Sequence, residues 1–144
     1  MLNPSTAESE NLNNDPRRDD ATIRKLVGFT ARAGYDGFMV ANVSPWRSKN
    51  PSDLHRWFLG GADIWRRTEN DAAIESMADK VCRVVVAWGA NADAFPELRQ
   101  RADEILNLVR KLRGEAWRLG EPTKGGHPRH PVRLGYSTAI EVHR

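Results

Sequence analysis

Two short apolar runs set apart by helical patterns constrain the fold of this chain more than any other feature. Residues 37–43 (GFMVANV) and 81–88 (VCRVVVAW) are bounded by turn-forming residues and have the length and composition of buried strands. Apolar residues between and after them recur at helical spacing. Strands that alternate with helices generally form a mostly parallel sheet covered by helices on both faces. The sequence therefore predicts one three-layer α/β/α domain, spanning residues 1–144, with a mostly parallel central sheet.

Local start and stop signals predict four helices. The first follows an Asp20 cap, and the third opens at a capping box made of Thr68 and Asp71. The fourth begins at Pro96, a residue type favoured in the first turn of a helix. The inward-facing residues of the four helices are expected to include Ile23, Leu26, Val27, Ala31, Leu54, Trp57, Phe58, Ile74, Leu98, Ala102, Ile105 and Val109. Residues 116–119 predict a last short strand, and the residues after it are expected to be irregular.

The composition indicates a globular protein. With 144 residues, of which 40% are hydrophobic, the chain can bury a core without disulfide or metal support. The single Cys82 excludes a disulfide framework and a Cys-rich zinc site. No apolar run approaches the roughly 20 residues of a membrane helix, and the N-terminus lacks the features of a signal peptide. We therefore expect a cytoplasmic protein that makes no membrane contact and carries no cofactor.

Positive charge is concentrated in the C-terminal third of the chain. Residues 99–144 carry 10 Lys and Arg against 5 Asp and Glu, whereas residues 1–98 carry 12 against 14. A basic region is compatible with a phosphate or nucleic-acid partner, and equally with a solvated helix face. Arg101, Arg110 and Arg113 belong to the fourth predicted helix and are expected on such a solvated face.

The predicted sheet selects the loops where a ligand is expected. In open α/β sheets, ligands bind outside the carboxyl ends of the strands. Asn42 lies at the end of the first apolar run, Trp88 ends the second, and residues 123–131 follow the last predicted strand. Residues 3–6 join them if the two residues before them end a further strand. These segments are expected to converge on one rim of the sheet.

Residues 126–131 (GHPRHP) form the most unusual stretch of the sequence. His127 and His130 are each followed by proline, which leaves the backbone little freedom. Such imidazoles can donate to a phosphate, a carbonyl oxygen or a departing base. The alternative is a rigid loop whose histidines bond the backbone. A metal site is not expected, because the sequence offers no second His or Cys cluster to complete the ligands.

Two asparagines and a tryptophan also have two interpretations each. The stretch Asn3-Pro4-Ser5-Thr6 offers an amide and two hydroxyl groups that can orient a water molecule, or it forms an Asx turn. Asn42 presents a carboxamide that matches the edge of a base, or it bridges backbone groups inside the protein. The Trp88 ring either stacks on a base or packs in the core. No Gly-rich phosphate loop and no nucleophile elbow occur, so phosphoryl transfer and acyl transfer are not indicated.

Taken together, these motifs resemble a bacterial and phage family known as domain of unknown function 1643. The resemblance covers nearly the whole chain and rests on the stretches LNPSTA (2–7), DDATIR (19–24), NV (42–43), NP (50–51), AWGA (87–90) and TKGGHPRHP (123–131). Members of this family carry strands ahead of the LNPST motif, so a shortened first strand is expected here. Ala21 stands where the family has Pro, and Pro122 and Gly125 replace its Leu and Asp.

The order of the motifs is also similar to that of the uracil-DNA glycosylase superfamily. That fold has an Asn-Pro or Asp-Pro motif after its first strand, a later Asn, a Trp-Gly strand end and a closing His-Pro motif. The resemblance implies that Asn3 positions an attacking water and that Asn42 reads an extruded base. It also implies that His127 or His130 supports the charge on the departing base. Trp46 is the candidate for stacking on that base.

The sequence as a whole predicts a protein that binds a nucleobase or nucleotide, with DNA or a nucleotide as its partner. Lys124, Arg129 and Arg133 flank the histidines and are expected to contact phosphates. As an enzyme, the protein is interpreted as a glycosylase-like hydrolase that excises a base. The alternative is a non-catalytic nucleotide or nucleic-acid binding module of phage or bacterial origin, and a third interpretation is a structural protein without a ligand. The sequence predicts no particular protein partner.

Overall fold

The computed structural model describes residues 20–46, 51–63 and 66–144. The described part contains four α-helices, which are α1 Ala21–Arg32, α2 Pro51–Leu59, α3 Arg67–Ala78 and α4 Pro96–Arg113. It also contains two strands, β1 Trp117–Leu119 and β2 Ile140–Val142, and two short 3₁₀ helices, Ala90–Ala94 and Pro131–Arg133. The predicted site residues Asn3, Pro4 and Ser5 lie outside the described residues.

The predicted three-layer α/β/α fold with a mostly parallel central sheet, similar to the uracil-DNA glycosylase fold, is wrong. The described residues form a helix-rich structure with one two-stranded antiparallel sheet, in which Trp117 of β1 pairs with Val142 of β2. Parallel pairing in the described part is limited to an isolated bridge between Val85 and Trp117. The prediction of β1 is confirmed, whereas β2 falls in a segment that the sequence predicts to be irregular.

The sheet prediction fails because the two apolar runs enter the core at their ends but do not pair with each other. Val43 and Trp88, at the ends of the two runs, are 1% and 3% exposed and belong to the same core. No backbone hydrogen bond joins residues 37–43 to residues 81–88 within the described ranges. A strand ladder needs neighbouring backbones about 4.8 Å apart. An apolar pattern predicts burial, but it carries no information on that spacing.

Helix α4 organises the core and has its predicted limits. Pro96 is its first residue, and Gly114, with a φ of 75°, directly follows its last. The buried residues on and around its inward face are Val43, Leu54, Ile74, Trp88, Phe95, Leu98, Ala102, Ile105 and Val109. Truncating a buried Leu or Ile of such a face to Ala costs about 2–5 kcal/mol. No helix in the described ranges is long and apolar enough to cross a membrane.

Helix α1 has the predicted start but buries a different face. The Oδ1 atom of Asp20 caps the helix by accepting a hydrogen bond from a first-turn backbone N–H at 2.6 Å. Phe29 is the buried residue of α1, whereas Ile23 and Val27 are 37% and 54% exposed. The face differs from the prediction because Phe29 packs edge-on against Tyr136, with ring centres 5.5 Å apart. Such a contact with a residue far along the chain leaves no trace in local periodicity.

Arg101 contradicts the expectation of a solvated helix face, since its side chain is 1% exposed. Its Nε atom donates to the backbone oxygen of Val43 at 3.3 Å, and its Nη2 atom pairs with the carboxylate of Asp71. Asp71 therefore does not form the predicted capping box with Thr68, and α3 begins without a side-chain cap. A buried guanidinium needs such partners to offset the loss of water. Arg101 thus ties α3 and α4 to the end of the first apolar run.

Arg110 and Arg113 also form contacts within the fold. The Nη2 atom of Arg110 donates to the backbone oxygen of His143 at 3.0 Å. The Nη2 atom of Arg113 donates to the backbone oxygen of Cys82 at 3.4 Å. These three arginines therefore join α4 to other segments, and the exposed Lys111 is the better example of a solvated cation on this helix.

Candidate functional site

The end of the second apolar run packs directly on the histidine loop, residues 123–131. The N–H of Gly89 donates to the backbone oxygen of Pro128 at 2.8 Å. A Cβ atom at Gly89 would lie 3.1 Å from Cβ of His130, and Gly89 has a φ of 78°. Glycine is therefore favoured here for two independent reasons, the backbone conformation and the close approach of the loop. This contact brings the run that ends at Trp88 against the loop.

Trp88, His127 and Asp93 form a polar chain at this contact. The indole N–H of Trp88 donates to Nδ1 of His127 at 3.4 Å, and Nε2 of His127 lies 2.8 Å from Oδ1 of Asp93. An indole nitrogen can only donate, so Nδ1 is the accepting nitrogen and the neutral ring carries its proton on Nε2. The N–H of Nε2 does not point straight at the carboxylate, so the two groups do not form a well-aligned hydrogen bond. Asp93 nevertheless lies close enough to orient the imidazole ring.

Asp93 is a residue of this site that the sequence prediction missed. It lies on the 3₁₀ helix Ala90–Ala94, and its Oδ1 atom also accepts a hydrogen bond from Arg99 at 3.0 Å. The close polar contact with His127 is the main cause that lowers the pKa of Asp93; burial opposes it, and the charge of Arg99 lowers the pKa further. A Cβ atom at Gly125 would lie 2.7 Å from Oδ2 of Asp93, so the missing side chain leaves room for the carboxylate. An acid in the turn that follows Trp88-Gly89, at the end of the second apolar run, is the sequence signal that could have identified it.

His127 and Trp88 are held inside the fold. Their side chains are buried, with 5% and 3% of the residue exposed. The N–H of His127 donates to the hydroxyl of Thr123 at 3.1 Å, and the N–H of Thr123 donates back to the backbone oxygen of His127 at 2.8 Å. Since both ring nitrogens of His127 also have partners, the residue acts here by positioning the loop.

His130 uses one of its two ring nitrogens within the fold. Its Nδ1 atom accepts a hydrogen bond from the N–H of Val132 at 3.4 Å and so caps the 3₁₀ helix Pro131–Arg133. Its Nε2 atom bonds to no described residue. Burial lowers the pKa of His130, and the charge of Arg133 lowers it further, whereas Asp20 opposes this shift. At neutral pH the ring is therefore uncharged and offers one N–H donor.

Asn42 combines a fixed backbone with an unengaged side chain. Its backbone oxygen accepts a hydrogen bond from Nδ2 of Asn70 at 3.0 Å, and the next carbonyl, that of Val43, accepts from Nδ2 of Asn70 and Nε of Arg101 at 3.3 Å each. The half-buried carboxamide of Asn42 itself bonds to no described residue. Asn42 also lines the same apolar cavity as Trp88. The internal bridge that was the alternative interpretation of Asn42 is therefore not formed by its side chain in the described part.

Trp46 forms a partly exposed aromatic pair close to Asn42 in the chain. Its ring packs on Trp57 at a tilt of 59°, with ring centres 5.1 Å apart, and 36% of the residue remains exposed. Its backbone N–H donates to the hydroxyl of the buried Ser44 at 3.2 Å, which fixes the turn that carries it. Trp46 thus has accessible aromatic surface on a held backbone.

The basic residues of and beside the histidine loop are exposed, namely Lys124, Arg129 and Arg133. The Nε atom of Arg129 donates to the backbone oxygen of Glu121 at 2.8 Å, which restrains its side chain. No hydrogen bond, ion pair or ring contact in the described part joins Asn42 or Trp46 to this loop. Among the described residues there is also no group of three or more His, Cys, Asp and Glu that is suited to a metal ion.

Comparisons with known proteins identify a family and nothing beyond it. A family model described as "Protein of unknown function (DUF1643)" matches residues 1–132, a range that includes both apolar runs and the histidine loop. No curated protein matches the chain, and no solved structure matches it. The similarity to the uracil-DNA glycosylase superfamily therefore gains no support from these comparisons.

Proposed function

The chain belongs to the DUF1643 family, and we propose that it binds a nucleobase or nucleotide through Asn42. The observation that carries this proposal is the half-buried carboxamide of Asn42, which bonds to no described residue. The carboxamide is therefore available to a ligand, and each hydrogen bond that a ligand forms with it in exchange for water is worth about 0.5–1.5 kcal/mol. A carboxamide offers a donor and an acceptor side by side, which matches the hydrogen-bonding edge of a base.

Two further features favour a ligand with a flat ring and a phosphate. The exposed surface of Trp46 suits stacking on a base, a contact worth about 1–3 kcal/mol per base in proteins that bind single strands. Lys124, Arg129 and Arg133 are exposed cations that suit phosphate groups. Stacking, edge recognition and charge neutralisation together are the elements of nucleotide binding.

In a catalytic form of this proposal, the protein hydrolyses the bond between a base and its sugar. His130 is the better-placed histidine, because its Nε2 atom is unengaged and the neutral ring can donate a hydrogen bond to the departing base. His127 acts indirectly, by holding the loop that carries His130. Asn3 is proposed to position the attacking water, as the motif order implies.

A non-catalytic binding module is the second candidate, and the engagement of His127 favours it. Both of its ring nitrogens have partners and its side chain is buried, so one of the two proposed catalytic imidazoles is already occupied. A module needs only Asn42, Trp46 and the basic loop residues. The two candidates share the binding step and differ in turnover.

Calorimetric titration with nucleoside monophosphates and short single-stranded DNA tests the binding step. We expect Asn42→Asp to bind about tenfold more weakly than the wild type, because it keeps the shape but loses a donor. Asn107→Asp, an equal change of charge on the exposed face of α4, is the matched control and should bind like the wild type. Equal losses in both variants, or no binding by the wild type, would refute the proposal. Abasic product from oligonucleotides with uracil, mismatched or hypermodified bases then separates the enzyme from the module.

A further inference from the structure

A polar cleft of about 370 Å³ lies between α1, the second apolar run and residues 136–140. Arg32 of α1 and Arg83 of the second run both line it. We refer to this cavity as the arginine cleft. No Asp or Glu of the described residues lines the cleft, so the positive charge of the two guanidinium groups is not balanced within its wall. Such a cavity attracts anions.

Aromatic rings, and not an acid, hold the guanidinium of Arg83. Its central carbon lies 3.9 Å from the ring centre of Trp117 and 5.8 Å from that of Tyr35. Both distances fall within the roughly 6 Å over which a cation and an aromatic face attract each other. A ring face takes up no N–H donor in the guanidinium plane, and the side chain of Arg83 forms no hydrogen bond or ion pair with a described residue. Its planar set of donors is therefore held in place and is available to a ligand.

Arg32 supplies a second guanidinium that has no protein partner in the described part. It is the last residue of α1, it is exposed, and its side chain forms no hydrogen bond or ion pair with a described residue. Other arginines of the chain, such as Arg101 and Arg118, pair with carboxylates. The fork of N–H groups in an arginine side chain matches two oxygens of a phosphate group. Two such forks at one cleft can bind one anion together.

The opposite wall of the cleft, formed by Tyr136 and Thr138, is fixed by contacts within the fold. The ring of Tyr136 packs on Gly28, where a Cβ atom would overlap it, and its hydroxyl donates to the backbone oxygen of Arg24 at 3.4 Å. The hydroxyl of Thr138 donates to the backbone oxygen of Gly135 at 2.7 Å. Since the protons of both hydroxyls are used in this way, the arginines are the donors that the cleft offers to a ligand.

We propose that the arginine cleft binds a small phosphate monoester, whose phosphate group is held by Arg32 and Arg83. A phosphate monoester carries about 1.5–2 negative charges at neutral pH, so it balances both guanidinium groups, whereas a carboxylate or a phosphodiester carries one charge. The apolar side chains of Phe29, Ala33 and Ile140 line the same cleft and suit the carbon chain attached to the phosphate. None of the residues assigned to nucleotide binding lines the cleft, so this proposal does not depend on nucleotide binding.

Nitrogen-15 spectra of the arginine side chains test the proposal during titration with three probes that contain no base. The probes are butyl phosphate, inorganic phosphate and dimethyl phosphate. We expect butyl phosphate to shift the Nε–H signals of Arg32 and Arg83 together until both saturate. The signal of Arg118, whose guanidinium already bonds Glu141, is the internal reference and should not change. Inorganic phosphate should bind about tenfold more weakly, because it lacks the apolar chain, and dimethyl phosphate should bind at least as weakly, because it has one charge.

Two variants with the same loss of charge locate the binding surface. Arg32→Met changes an exposed residue whose side chain has no hydrogen bond to a described residue, and it should weaken butyl phosphate binding by at least about tenfold. Lys111→Met removes an exposed cation outside the cleft and should bind the probe like the wild type. Equal losses in both variants would overturn the site in favour of diffuse attraction. Equal binding of the three probes, or no saturable shift at Arg32 and Arg83, would also overturn the proposal.

Discussion

Trp88 donates its indole N–H to Nδ1 of His127 across 3.4 Å, and this contact places the proton of the neutral imidazole on Nε2. Asp93 lies at that nitrogen, 2.8 Å away. The buried histidine of the loop is therefore oriented by two residues from the segment that ends the second apolar run. This frame holds His130 and the basic residues of the loop relative to the core.

The first prediction concerns the donor of this contact. Trp88→Phe removes the indole N–H and leaves a smaller ring, so we expect the free energy of unfolding to fall by about 1–3 kcal/mol. Nitrogen-15 spectra of the histidines should also show the proton of His127 redistributing between Nδ1 and Nε2. Trp46→Phe, at a partly exposed ring, is the control and should change neither quantity appreciably. An unchanged His127 spectrum in Trp88→Phe would contradict the assigned tautomer.

The second prediction separates two causes for glycine at the loop contact. Gly89→Ala should lower the free energy of unfolding by about 2–4 kcal/mol, because it adds a crowded contact with His130 to the strain of a positive φ. Gly34 has a similar φ of 73° but open space at its Cβ position, so Gly34→Ala should cost only the strain, about 1 kcal/mol. Chemical denaturation of both variants measures the difference. Equal costs would mean that the approach of His130 does not restrict this position.

Local signals in the sequence were sufficient to predict much of the helical structure. Asp20 caps α1, Pro96 opens α4 and Gly114 follows its end, because these residues act within one turn of their own position. The apolar pattern also identified the buried ends of both runs. Pairing could not be predicted, because a run that packs between helices has the same pattern as a run in a ladder.

The third prediction concerns the buried arginine of α4. Arg101→Met should lower the free energy of unfolding by about 1–3 kcal/mol, since it removes the cation that pairs with Asp71 and one of the two donors to the carbonyl of Val43. Lys111→Met, at an exposed position on the same helix, should stay within about 0.5 kcal/mol of the wild type. Thermal and urea unfolding measure both values. A cost for Arg101→Met as small as that of the control would mean that the ion pair does not hold α3 to α4.

The fourth prediction concerns pH. The pKa of His130 is lower in the folded protein than its usual 6.5, mainly because of burial, so protonation favours the unfolded state. Its contribution to stability is complete above pH 6.5 and is lost as the pH falls from there through the folded pKa. His130→Gln should therefore flatten the dependence of the unfolding free energy on pH below 6.5. Burial also lowers the pKa of His143, so this residue preserves part of the dependence of the unfolding free energy on pH in the variant. An unchanged slope in His130→Gln would contradict this assignment.

The candidate site was predictable only in part, because some of its residues are marked by local features and others only by contacts with distant parts of the chain. The two histidines were identified by their spacing between prolines, a local feature of the chain. Asp93 was missed because its importance arises from a contact with His127, which is far away in sequence. Arg101 was assigned to solvent because charge in a helix usually lies at the surface, and its burial depends on partners from two other segments.

The dependence of nucleotide affinity on salt tests the central claim most directly. A phosphate contact releases counterions, so Arg129→Ala should lower the slope of log affinity against log salt by about one unit and weaken binding to every base alike. Asn42→Ala removes a hydrogen-bonding edge and no charge, so it should keep the slope and lose the preference between bases. Lys111→Ala, an exposed cation away from the loop, should change neither. If Lys111→Ala reduces the slope as much as Arg129→Ala, or if Asn42→Ala keeps its base preference, binding is diffuse electrostatic attraction and the proposed site is wrong.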